Sequence, residues 1–95
     1  MCLIALSLKK ELDWNGKEAY FFSLVANRDE YHDRPTTRLH WWKGGKILAG
    51  KDNFAGGTWL GFSKSGRFAA LTNFKENTSK KYKLSRGLLI TDFLE

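Results

Sequence analysis

The sequence predicts an α+β fold: antiparallel β-hairpins followed by a single C-terminal helix. Short runs of aromatic, aliphatic and β-branched residues recur along most of the chain. Between them stand Asn15-Gly16, Gly44-Gly45 and Ser65-Gly66, which suit tight reversals between neighbouring strands. After Ser85, Leu89 with Phe93 and Ile90 with Leu94 recur four apart, the spacing of a helix face.

In chain order, Cys2 to Leu8 and Ala19 to Ala26 read as two buried strands joined through Asp13-Trp14-Asn15-Gly16. Symmetric pairing about that connection sets Cys2 opposite Val25 and brings Asn27-Arg28-Asp29-Glu30 beside the amino terminus. Arg34-Pro35 then predicts a loop, since proline removes a backbone donor and constrains its predecessor. Leu39 to Trp42 and Lys46 to Gly50 flank Gly44-Gly45 as a second hairpin. Gly50 to Gly57 is read as an irregular link. Thr58 to Ser63 and Arg67 to Asn73 form a third hairpin about Lys64-Ser65-Gly66, with Asn73 closing its last strand. Ser85 suits a helix N-cap, and Leu89 with Phe93, and Ile90 with Leu94, then share faces. Nothing follows to cover this helix or the second face of a sheet. The expectation is one domain over residues 1–95 that looks cut after this helix.

Ninety-five residues allow one small core, and seven Phe, four Trp and three Tyr provide large burial per residue. A lone cysteine cannot form an intrachain disulfide, the first residues lack a secretory pattern, and no segment nears the roughly 20 apolar residues of a membrane helix. A soluble, cytoplasmic protein without a transmembrane segment is expected. Seven of the 16 basic residues lie between Lys64 and Arg86, against one acid, Glu76. That stretch holds the entire net charge of +6. Within it Asn77-Thr78-Ser79-Lys80-Lys81 is polar and lacks an aromatic platform for bases, so the stretch reads as a solvated loop and not as a nucleic-acid partner site.

Cys2 has two readings. As a small apolar residue it starts a core strand. As the residue behind the initiator methionine, it would carry a thiol and a free α-amino group after Met1 is removed, placing a nucleophile and its base on one residue. No pair among Cys2, His32 and His40 has zinc-site spacing, so no metal is expected. A haem axial role is chemically open to all three, but their spacing does not select it. Trp59, within Gly56-Gly57-Thr58-Trp59-Leu60-Gly61, is a candidate ligand contact because the surrounding glycines permit close approach.

Met1-Cys2-Leu3-Ile4, Ala26-Asn27-Arg28-Asp29-Glu30, Arg34-Pro35 and Ile47-Leu48-Ala49-Gly50-Lys51-Asp52 occur in that order. They are followed by Gly56 to Gly61, Gly66 to Asn73 and Ser85-Arg86-Gly87-Leu88-Leu89. This ordered set resembles the NRDE family, also called the transport and Golgi organisation family, whose members are considerably longer, so the resemblance implies that residues 1–95 are the amino-terminal part of a longer domain. That family is similar to the cysteine-type N-terminal nucleophile hydrolases. The resemblance implies part of an αββα sandwich, two antiparallel sheets between helix layers. In the hydrolase branch an Arg-Asn-x-Asp block lies beside the nucleophile. Asn27 and Asp29 match it, whereas Ala26 stands at the arginine position and Arg28 lies two residues on.

The resemblance implies a Cys2-dependent amide (C–N) hydrolase. In that reading Asp29 orients the α-amino group, Arg28 favours the thiolate or binds a substrate carboxylate, and Asn73 donates to the oxyanion. One such donor is worth about 2.7–4 kcal/mol in a working site. Asn27 and Trp59 would contact substrate. On residue chemistry alone, Asn27 to Glu30 equally suits a strand-end turn with Arg28 paired to Glu30 or Asp33, and Asn73 a strand cap. The alternative function is a noncatalytic small-molecule binding or trafficking protein concerned with secretion and Golgi organisation, with haem or an acyl lipid as cargo. The partner expected in either case is a small molecule, with self-association of the short chain through its uncovered faces.

Overall fold

The computed structural model of the chain describes residues 2–72 and 85–95. Strand β1 (Ile4–Leu12) pairs antiparallel with β2 (Glu18–Ala26) in a two-stranded sheet. The hairpin is the expected one, but Val25 lies against Ala5, and Ile4 against Ala26. The strands run on beyond Leu8 because Lys9, Lys10 and Glu11 extend a solvated tip, where Lys10 and Glu18 form an ion pair at 2.8 Å. The Asp13 carboxylate accepts the Asn15 and Lys17 amides at 2.8 and 2.9 Å. Gly16 supplies the left-handed residue of this reversal, with φ of 74°.

This register decides which side chains stand together. The Asn27 N–H donates to the Leu3 carbonyl at 3.1 Å, so the ladder carried one step further sets Arg28, not Val25, opposite Cys2. Opposed residues share a face. Cys2, Ile4, Leu24, Ala26 and Arg28 therefore lie on one side of the hairpin.

The second sheet is a meander of β3 (Thr36–Trp41), β4 (Ile47–Asp52), β5 (Leu60–Ser63) and β6 (Phe68–Ala70), in that spatial order. The loop expected around Arg34-Pro35 ends abruptly, with β3 starting at the residue after the proline. Gly44 and Gly45, both at positive φ, form the predicted turn between β3 and β4. A register shift between Thr37 and His40 bends the edge strand β3, and His40 Nδ1 lies 2.6 Å from the Arg38 carbonyl. The third hairpin is shorter than expected. Thr58 donates its hydroxyl to the Leu60 carbonyl at 3.1 Å, a local bond at the entry to β5, and before that strand the Leu71 N–H bond to the Trp59 carbonyl, at 2.9 Å, continues the pairing. At the other end β6 stops at Ala70, and Asn73, expected to close it, lies outside the described residues.

Helix α1 (Arg86–Leu94) has Ser85 as its N-cap, the hydroxyl accepting the Gly87 N–H at 3.3 Å. Its buried residues Ile90 and Leu94 pack on Ile47 and Ala49 of β4, with Trp42, Ala69 and Leu71 at the margin. Gly61 admits Leu94, whose Cδ1 would lie 2.9 Å from a Cβ at that position. Alternation along β5 turns Leu60 and Phe62 to the opposite face. There Phe22 of the hairpin meets Phe62 edge-on at 5.7 Å between centroids and Phe68 at 5.3 Å. Aromatic pairs of this kind contribute about 0.5–1.5 kcal/mol each beyond area burial. The described residues thus form a two-stranded hairpin, a four-stranded sheet and one helix, a mixed α+β arrangement.

Candidate functional site

Where β2 ends and α1 begins, a cleft of about 190 Å³ opens between the layers. Cys2 lines it, half-buried, and its Sγ accepts the Asp29 N–H at 3.4 Å. The expected juxtaposition of the amino terminus with Asn27 to Glu30 is present. Asn27 clamps the strand start, its side-chain oxygen accepting the Leu3 N–H at 2.8 Å. Asp29 meets Cys2 through its backbone amide. Arg28 lies with its guanidinium carbon 4.4 Å from the centroid of the Trp59 ring.

The ion pairing differs from either pairing expected for Arg28. Arg28 lies 3.9 Å from Asp52, while Glu30 is 3.6 Å from Arg34. The register explains the change by turning Arg28 toward the inner face, where the end of β4 presents Asp52. That carboxylate organises the region. Its Oδ2 accepts Arg34 Nε and a terminal guanidinium nitrogen at 3.0 and 2.7 Å, and its Oδ1 accepts the amides of Phe54 and Ala55 at 3.0 and 3.4 Å. Burial pushes the Asp52 carboxyl up, but the Arg34 bond, the two turn amides and the Arg34 charge outweigh it and hold the group below its ordinary value. The same bond raises Arg34 above its ordinary value.

The helix start forms the far wall through Ser85, Arg86 and Gly87. Contact there is backbone to backbone: a Cβ on Gly57 would stand 2.5 Å from the Gly87 carbonyl carbon, and one on Gly87 2.9 Å from the Thr58 carbonyl oxygen. Of the residues singled out from sequence, Cys2, Asn27, Arg28, Asp29 and Trp59 all line this cleft. Asn73 falls outside the described residues. Sequence reasoning missed the roles of Asp52 and Arg34. The detectable signal at Asp52 was an acid ending an apolar strand before a glycine-rich link, which predicts the turn bonds but not the arginines.

A second, shallower trough of about 390 Å³ runs between β2 and β3, lined by Leu24, Leu39 and Arg38, and it shares Ala26, Trp59 and Leu60 with the first. The Trp59 ring packs against Gly50, where a Cβ would lie 2.7 Å from the indole.

The model of the family described as Transport and Golgi organisation 2 matches residues 1–95. The chain belongs to the transport and Golgi organisation 2 family. Curated relatives in this family include the Transport and Golgi organization 2 homolog of Mus musculus, 42% identical over 83 residues, and the corresponding Homo sapiens protein, 43% identical over 83 residues. A Bos taurus relative is 40% identical over 83 residues. Each alignment covers 83% of this chain and 30% of the relative, so the chain spans less than a third of the length of these transport and Golgi organisation proteins. No solved structure matches it. Among the described residues, no helix is long and apolar enough to cross a membrane.

Proposed function

We propose that the cleft is a nucleophile site in which Cys2 cleaves the amide bond of a small carbonyl compound. The observation supporting this reading is the seat of Cys2: its sulfur lines a cleft, accepts a backbone amide, and stands across the strand register from Arg28. Removal of Met1 frees the α-amino group that serves as base. The sulfur attacks the carbonyl carbon as its proton passes through that amine to the leaving nitrogen, giving a thioester and a free amine. Water then attacks the thioester, releasing a carboxylic acid and restoring the thiol. At about 190 Å³ the cleft is smaller than the roughly 300–1,000 Å³ of sites that enclose a whole ligand. It therefore holds the reacting part of the molecule.

Intact-mass analysis after incubation with a β-lactone tests this proposal. The folded, methionine-free chain is expected to gain one acyl adduct that Cys2→Ala lacks. A folded, methionine-free sample that stays unmodified overturns it.

A second reading is favoured by the continuity of the polar cleft with the trough at Trp59 and by the transport named in the relatives' descriptions. In it the chain binds and carries an amphipathic small molecule, haem or an acyl lipid among the candidates, without cleaving it. Saturable haem or acyl-coenzyme A binding that survives Cys2→Ala, with no adduct from the β-lactone, would replace the first reading by this one.

A further inference from the structure

Arg28 is held without being consumed. A guanidinium carries five N–H donors, yet among the described residues the Arg28 side chain meets only the Trp59 face at 4.4 Å and Asp52 at 3.9 Å. The second distance is too long for a hydrogen bond. Asp52 is already engaged by Arg34 and by two turn amides, so it offsets the charge of Arg28 only in part. The Trp59 face restrains the guanidinium, whose side chain is 21% exposed. Trp59 is itself fixed, because its ring fills the space beside Gly50 where a Cβ would lie 2.7 Å away. A guanidinium stacked on an immobile ring, with donors unspent at the edge of a cleft, is preorganised to receive a planar anion.

We infer that Arg28, clamped by Trp59, is a carboxylate-recognition subsite, and that the cleft takes small carbonyl compounds bearing a carboxylate beside the group presented to Cys2. This rests on the ligand placement at Cys2 proposed above. A carboxylate fits better than a dianionic phosphate, because Asp29, Glu30 and Asp52 line the same cleft and oppose a second negative charge.

Cys2 is the sole cysteine, so its alkylation reports on the subsite whether or not the protein cleaves amides. Iodoacetate and iodoacetamide react alike, the thiolate displacing iodide as a sulfur–carbon bond forms, and differ in the carboxylate. The ratio of their rates at Cys2, read by intact mass, is expected to fall about tenfold in Arg28→Gln, the scale of a charge-assisted hydrogen bond. Should Arg28→Gln fail to fold, the unmodified chain decides. There N-acetylglycine, at fixed ionic strength, is expected to slow iodoacetamide saturably, and N-acetylglycinamide to leave it unaffected. An equal ratio in folded Arg28→Gln, equal protection by the two compounds, or no reaction with either reagent overturns the subsite. A ratio that falls in Arg28→Gln, with no acyl adduct from a β-lactone, sinks amide cleavage and leaves the subsite standing.

Discussion

Protonating Asp52 would remove the acceptor on which the Arg34 guanidinium and the amides of Phe54 and Ala55 converge. The carboxyl is more acidic in the folded chain than its unfolded value of 3.8. The stability it lends is therefore fully present above that value and lost as pH falls through the lower folded one. Thermal melts of the unmodified chain are expected to drop in midpoint as pH is lowered from about 4, and Asp52→Asn to flatten that drop. Equal acid slopes in the two proteins would show that Asp52 does not carry it. At this scale the identities of Cys2, Arg28, Asp29 and Trp59 were legible because each has a distinctive chemistry in a distinctive local pattern. The part played by Asp52 was not. Its partners lie 18 and 24 residues away in sequence, and no local pattern encodes ion pairs made between segments that far apart.

Among the elements, the contact between the β4–β5 link and the start of α1 sets the wall of the cleft. Gly-to-Ala inside a helix ordinarily gains about 0.8–1 kcal/mol from propensity. Gly87 is expected to reverse the sign, because a Cβ there meets the Thr58 carbonyl oxygen at 2.9 Å and backbone cannot rotate aside. Overpacking of this kind costs about 1–3 kcal/mol. Denaturant melts of Gly87→Ala should show that loss, and a stabilised variant would mean that the helix can shift from the link without cost. Hairpin positions and the Ser85 cap were readable from turn dipeptides and apolar spacing. The register of the first hairpin was not, because pairing continues through Lys9, Lys10 and Glu11, residues whose polarity suggested that the strand had ended. That slip is an odd number of residues and so changes faces, which is why it moved Arg28 to the side of Cys2.

For the molecule as a whole, a radius of gyration of 15.7 Å exceeds the roughly 12 Å of a compact domain this long. The elongation goes with a hairpin whose Leu6, Leu8, Tyr20, Phe21 and Val25 are exposed. Apolar area of that extent on a strand pair with open edges favours association. Sedimentation of the 95-residue chain is expected to show mass rising with concentration, and Phe21→Lys with Leu8→Lys to suppress the rise. A monomer with a cooperative, concentration-independent melt would contradict this.

Sequence alone determined the α+β class, the hairpin order, the capped helix and the family, because turn chemistry, apolar spacing and ordered motifs are local properties of the chain. It also nominated the residues around Cys2. Only the tertiary structure decided which of them face one another. A strand can be recognised from its own side chains, but the face it presents and the charge it meets depend on register and on layers packed from distant segments. The pairing of Arg28 with Trp59 and Asp52, rather than with its neighbours in sequence, is set by that packing.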